Sequence, residues 1–221
     1  MKRYINQKML AVFLGLALSF LFFEIIYIIM GIDLQKISDS TYLLLAIIKY
    51  LVFLIIFYLM YHRYLKEKWI DFKINFKKYA KIAFSDWLKG FLVMIVSNII
   101  ISYFFKGLGE NEESVQSLIS AAPLVAFIMT SFLAPITEEM IFRKSLKDAI
   151  NNKYFFMVLS GLIFGLIHVI SASNPLEYLL IIPYGAFGVV FAKTLSETDN
   201  IYTTIMVHTF HNAILTILAV I

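Results

Sequence analysis

Long apolar runs separated by short polar intervals make up almost the whole chain. The runs lie near residues 9–32, 42–61, 88–105, 118–145, 155–171, 176–193 and 202–221. Each is close to the roughly 17–25 residues that carry a helix across a bilayer. No strict apolar/polar alternation of the barrel kind occurs, and a chain in lipid must satisfy its backbone hydrogen bonds internally, so every run is read as a helix. The expected fold is all-α: a polytopic transmembrane helix bundle of about seven spans, one membrane domain over residues 1–221. The second interval, residues 62–87, is different in kind. Lysines and Arg63 are interleaved there with Trp69, Ile70, Phe72, Ile74, Phe76, Tyr79, Ile82 and Phe84, a composition expected to lie along the membrane surface against anionic lipids. Ser85 or Asp86 is expected to cap the span that follows.

Composition supports this reading. Of 221 residues, 61% are hydrophobic and 15% charged, with a mean hydropathy of +0.82, which excludes an ordinary water-soluble domain. The run from residue 9 is too long for a cleaved signal segment and is expected to be a retained anchor. The formal charge of +4 comes from basic residues beside the apolar runs, with no basic stripe of the nucleic-acid-binding kind, so nucleic acid is not an expected partner. Lys2, Arg3, Lys8 and the basic interval place the N-terminus and residues 62–87 on the cytoplasmic side. The loop around Gly107–Glu113, with Glu110, Glu112 and Glu113, falls outside, as does the C-terminus after seven spans. The absence of cysteine removes disulfides, thiolate ligands and a cysteine nucleophile.

Three short polar groups interrupt the last four runs. Glu138, Glu139 and Arg143 stand in the fourth, where each ionisable group would cost about 2.5–3.5 kcal/mol in lipid and is therefore expected to face a protein interior. Glu139 and Arg143 are spaced i, i+4 and can pair on one face, whereas Glu138 points about 100° away and lacks that partner. Glu138 is the candidate reactive carboxylate. Phe164 and His168 share a face of the fifth run, and His208 and Asn212 a face of the seventh. Depth gives a further expectation: with helix ends near Ser145 and Tyr202, Glu138 and His208 each lie roughly 10 Å inside one boundary. His168, about 21 Å beyond Tyr154, is too deep to meet them unless its helix starts later or tilts. Gly161 and Gly165 are read as packing residues, and His211 as a packing or supporting residue.

Taken together, Glu138-Glu139-x-x-x-Arg143, Phe164-x-x-x-His168 and His208-x-x-x-Asn212 resemble the CAAX prenyl protease type 2 and bacteriocin-processing group of membrane proteases, the CPBP or Abi family. The three motifs follow in family order, and the motif region covers about residues 118–221. The resemblance implies an intramembrane endopeptidase whose site opens toward the cytoplasm. Glu138 would be the general base that activates water, assisted by His168. His208 and Asn212 would stabilise the oxyanion, and Glu139, Arg143 and Phe164 would support them. A carboxylate in a dry pocket is a stronger base, and donors aimed at a developing oxyanion are often the largest catalytic factor. No cofactor is expected. Zinc is the alternative, because Glu138, His168 and His208 could serve as ligands, although an H-E-x-x-H arrangement is absent.

Three functions are weighed: a protease acting on membrane-associated peptides; a non-enzymatic bacteriocin-immunity or scaffold protein holding a peptide in the same cavity; and a proton-relay transporter, placed last because no repeated halves occur. The abundance of Ile, Lys, Phe and Asn points to an AT-rich bacterial genome, and hence to a peptide precursor, pheromone or bacteriocin before a prenylated substrate.

Overall fold

The structure, a computed structural model, describes residues 5–21, 23–32, 38–107 and 109–220. Lys2 and Arg3, on which part of the orientation argument rests, lie outside the described residues. Among those described, helices account for nearly all the chain, and extended pairing is confined to an isolated bridge between Ile5 and Ile150. The helices are α1 (Gln7–Leu21), α2 (Phe23–Ile29), α3 (Asp39–Ile101), α4 (Glu110–Ala121), α5 (Pro123–Ala149), α6 (Lys153–His168), α7 (Ile181–Thr198) and α8 (Ile201–Val220). A 3₁₀ turn, Pro175–Leu180, leads into α7. The protein is an all-α, multi-pass membrane protein. Helices α3, α5, α7 with its 3₁₀ lead, and α8 are long and apolar enough to cross a bilayer, while α1 and α6 are shorter apolar helices.

The largest departure from expectation is α3. Two predicted runs and the basic interval between them form one uninterrupted helix of 63 residues, about 95 Å along its path. Ser38 caps its start, accepting a hydrogen bond from the Thr41 N–H. Asp86 caps nothing, because it lies inside the helix. It is buried there and receives Lys193 Nζ of α7 at 2.7 Å. Lys49 and Trp87 would stand about 57 Å apart on a straight helix. Lys49 nevertheless lines the same cavity as His211, and the Trp87 indole donates to His211 Nδ1 at 3.4 Å. The helix therefore bends around the bundle. Its middle crosses the α7–α8 junction, where the buried Asn200 amide donates to the Lys68 carbonyl and to Asp71, each at 2.8 Å. A side chain reaching into a helical ladder in this way is a known cause of bending.

The acidic segment expected as a loop is partly helical. Glu110, Glu112 and Glu113 form the first turn of α4, where negative charge complements the exposed N–H groups. The fourth predicted run begins later than expected, at Pro123, because Ala122 leaves helical geometry at φ −152°. Helices α6 and α7 meet at glycines. A Cβ on Gly188 would stand 2.7 Å from Gly161 Cα, and one on Gly161 would stand 2.4 Å from Val189 Cγ2. Small residues at such a crossing let the backbones approach closely.

Candidate active site

Helix α5 carries the adjacent carboxylates between two π-helical segments, Met129–Leu133 and Met140–Ser145. Such bulges recur at functional sites because they rotate the side chains that follow and free backbone carbonyls. The first does so in a traceable way. Ala134 N–H bonds to Met129 O, and Pro135 has no N–H to offer, so the Thr130 carbonyl loses its usual helical donor. Asn212 Nδ2 of α8 donates to it at 2.9 Å. The second segment presents the Phe142 carbonyl to Ser160 Oγ of α6 at 3.1 Å.

Glu138 and Glu139 have different surroundings, as their angular separation predicts. The Glu139 side chain is fully buried, with Oε1 3.5 Å from Arg143 Nε. The Arg143 guanidinium is also fully buried and lies 4.0 Å from the centre of the Phe164 ring, a cation–π contact of the kind that desolvation strengthens. Glu138 faces a cavity of ≈ 450 Å³ whose walls include His168, His208, His211, Asn212, Tyr184 and Lys49. Its Oε2 lies 3.8 Å from His208 Nε2.

His208 joins the two carboxylates. Its Nδ1 lies 2.8 Å from Glu139 Oε1, and an ionised carboxylate only accepts, so Nδ1 carries the hydrogen. Nε2 then faces Glu138 at 3.8 Å, beyond the reach of a direct hydrogen bond. Glu139 thus orients His208 as well as neutralising Arg143, a bond between α5 and α8 that i, i+4 spacing within one helix could not show.

His168 also reaches the cavity, and its apparent excess depth is roughly halved. Helix α5 runs on to Ala149 and not to Ser145. Glu138 therefore lies about 16 Å from that end, against about 22 Å for His168 from Lys153. His168 Nδ1 lies 2.7 Å from the Phe164 carbonyl, so this nitrogen carries the hydrogen and Nε2 is the open acceptor. The ring stacks on Tyr184 of α7 at 4.4 Å and 23°. His211 lines the cavity as well, packed on Phe187 at 4.0 Å. The structure thus brings Glu138, His168, His208 and Asn212 to one cavity, with Phe164, Glu139 and Arg143 behind them. Tyr184, Lys49 and the α4 residues Asn111 and Glu112 also line it. None belongs to a recognisable motif, and only the charges of Lys49 within an apolar run and of Glu112 in the acidic segment stood out in the sequence.

Among the described residues, no three His, Asp or Glu side chains converge as metal ligands. The three residues of the candidate zinc set, Glu138, His168 and His208, line one cavity, and the Nδ1 bond of His168 leaves its Nε2 free.

A polytopic helical membrane protein with a buried Glu/His cluster defines the class. Residues 120–214 match the family described as "Type II CAAX prenyl endopeptidase Rce1-like", the stretch that holds every motif residue. The chain is 33% identical over 140 residues to a Bacillus subtilis protein described as "Putative membrane peptidase YdiL", covering 59% of this chain and 54% of that one. It is 30% identical over 160 residues to an uncharacterised protein of Mycoplasma capricolum, covering 67% and 46%. A Lactococcus lactis protein, "UPF0177 protein YbdI", is 26% identical over 156 residues, covering 66% and 83%. The matches thus span about half the length of the first two relatives. No solved structure matches the chain.

Proposed function

We propose that the protein is an intramembrane endopeptidase that hydrolyses membrane-associated peptides with water activated by Glu138. The observation that carries this reading is the arrangement of Glu138 on the cavity wall, 3.8 Å from His208, with His168 and Asn212 on the same cavity. Water bound between the Glu138 carboxylate and His168 Nε2 meets two acceptors, which engage its protons and leave a lone pair for attack. Glu138 takes one proton as the oxygen adds to the scissile carbonyl carbon. The resulting oxyanion receives Nε2–H of a doubly protonated His208 and the second Asn212 amide hydrogen, the first being held by Thr130 O. Return of the proton from Glu138 to the leaving nitrogen accompanies cleavage of the C–N bond.

The favoured substrates are short peptides or protein ends inserted in the membrane, such as a peptide precursor, pheromone or bacteriocin, and the favoured mechanism uses no metal. The site opens to the cytoplasm in this reading, with anionic lipid headgroups bound along residues 62–87. The test is cleavage of a panel of membrane-bound peptides by purified protein, comparing wild type with Glu138→Gln and His168→Ala, with and without a chelator. Chelator-resistant cleavage that both substitutions reduce by at least about 10²-fold, the lower range for a lost general base, is the expected result. Chelator sensitivity would replace the metal-free mechanism with zinc. Peptide binding without cleavage by the wild type would replace the protease with a peptide-holding immunity protein.

A further inference from the structure

His168 is held on three sides, and only one of them was legible as a motif. Its Nδ1 edge is fixed by the Phe164 carbonyl at 2.7 Å, a bond within α6. One face lies on Tyr184 with ring centroids 4.4 Å apart and planes 23° from parallel. The Phe164 ring lies at 4.4 Å, tilted by 50°. Tyr184 is itself restrained from a third helix, because Asn111 Nδ2 of α4 donates to its hydroxyl at 3.3 Å. The turn of α4 that carries Asn111 is pinned to the segment leading into α7 by two more bonds. Glu110 N–H donates to Glu177 Oε2 at 3.0 Å, and Ser173 N–H donates to Glu110 Oε1 at 3.0 Å. Asn111, Tyr184, His168 and Glu138 all line the cavity.

We infer that Tyr184, held by Asn111, is the positioning residue for His168: it fixes the plane of the imidazole so that Nε2 points into the cavity toward the water that Glu138 activates. This deepens the protease reading and rests on it for its catalytic consequence. The Nδ1 bond alone leaves the ring free to swing about that edge, and stacking on Tyr184 removes that freedom. The hydroxyl bond to Asn111 matters because a tyrosine with no tether at its far end can tilt, and the imidazole would tilt with it. The contacts run from α4 through α7 to α6, so loss of the Asn111 bond loosens the His168 ring although α4 contributes no group to the chemistry.

The experiment uses the full-length protein in lipid nanodiscs, with the four histidines labelled in their rings for NMR. His168 is assigned by its loss in His168→Gln. Tyr184→Phe keeps the stack, Tyr184→Leu removes it, and Asn111→Ala removes only the tether. Expected are a clear displacement of the His168 ring signals in Tyr184→Leu, and smaller, similar displacements in Tyr184→Phe and Asn111→Ala that do not add in the double variant. The His208 signals should stay in place throughout. On a peptide the wild type cuts, Tyr184→Leu should lower kcat by about tenfold or more with KM within about twofold, as expected when a reacting group is misplaced and binding is kept. Tyr184→Phe should recover most of that loss. Unmoved His168 signals in Tyr184→Leu overturn the inference, as does unchanged kcat in a wild type that cuts. If the wild type cuts nothing, the protease reading falls, and the ring signals alone then decide whether Tyr184 positions His168.

Discussion

At the scale of single residues, the division of labour between Glu138 and Glu139 follows from a rotation of about 100° along one helix. That rotation sends one carboxylate to a cavity wall and the other to a sealed pair with Arg143. Glu139→Ala leaves a guanidinium buried without its counter-charge, which costs about 3–5 kcal/mol. Unfolding of the purified protein in detergent should therefore show a far larger loss for Glu139→Ala than for Glu138→Gln, whose side chain faces the cavity. A Glu138→Gln variant that unfolds as early as Glu139→Ala would contradict this division. Much of the site was legible here, because ionisable residues inside apolar runs stand out and their spacing is helical. Tyr184 and Asn111 were not legible. A tyrosine and an asparagine draw no attention in such a chain, and their importance arises from contacts between helices that sequence spacing does not encode. The Glu139–His208 bond was hidden for the same reason.

At the scale of elements, the site depends on how closely α6 approaches α7 and on how α7 is joined to α8. Gly188→Ala puts a methyl group against Gly161 Cα and should destabilise by about 1–3 kcal/mol, as overpacking does. It should also lower cleavage, because α6 carries His168. A thermal midpoint and a turnover rate measured on the same preparation check both effects. The α7–α8 junction has its own signature. Asp199 adopts a left-handed conformation at φ 47° and pairs with Lys147 at 2.6 Å and Lys68 at 2.7 Å. Partial burial alone would raise its carboxyl, but the hydrogen bonds and charges of Lys147 and Lys68 hold it below its ordinary value of 3.8. For a depressed carboxylate the stabilisation is full above 3.8 and is lost as pH falls through the lower folded value. Exposure of the side chain keeps the effect small. The thermal midpoint of Asp199→Asn should lie slightly below wild type at neutral pH and converge with it on strong acidification. A constant gap at all pH values would show that the two lysines do not act through charge. The all-helical reading was available from the apolar runs, but the π-helical segments of α5 were not, since Pro135 signals a break in the hydrogen-bond ladder without saying how the helix absorbs it.

At the scale of the whole molecule, orientation is the expectation with the cleanest test. The chain contains no cysteine, so a single introduced cysteine is the only thiol that can be labelled. A cysteine replacing Lys77 should react with an impermeant reagent only from the cytoplasmic side, and one replacing Glu113 only from the opposite side. The reversed pattern would invert the topology. Basic residues along the middle of α3 should also make activity depend on anionic lipid. Cleavage in nanodiscs with acidic headgroups should exceed that in neutral ones, and the difference should shrink with added salt as charges are screened. The sequence located both arms of α3 but not their continuity, because lysines and aromatics in alternation read equally well as a surface loop or as a helix.

Continuity of α3 makes its length a matter of phase. Both arms bound one cavity, through Lys49 on one and, by way of His211, Trp87 on the other. Each residue between them sets the angle at which the second arm presents its side chains. One residue added near Lys73 would turn Trp87 by about 100° relative to Lys49 and carry its indole away from His211. Seven added residues would nearly restore the angle but displace the arm by about 10 Å. A flexible connection would absorb either change, whereas this rigid one transmits it to the cavity wall. The number of residues between the arms is therefore part of the site's geometry, although most of the intervening residues lie away from the cavity.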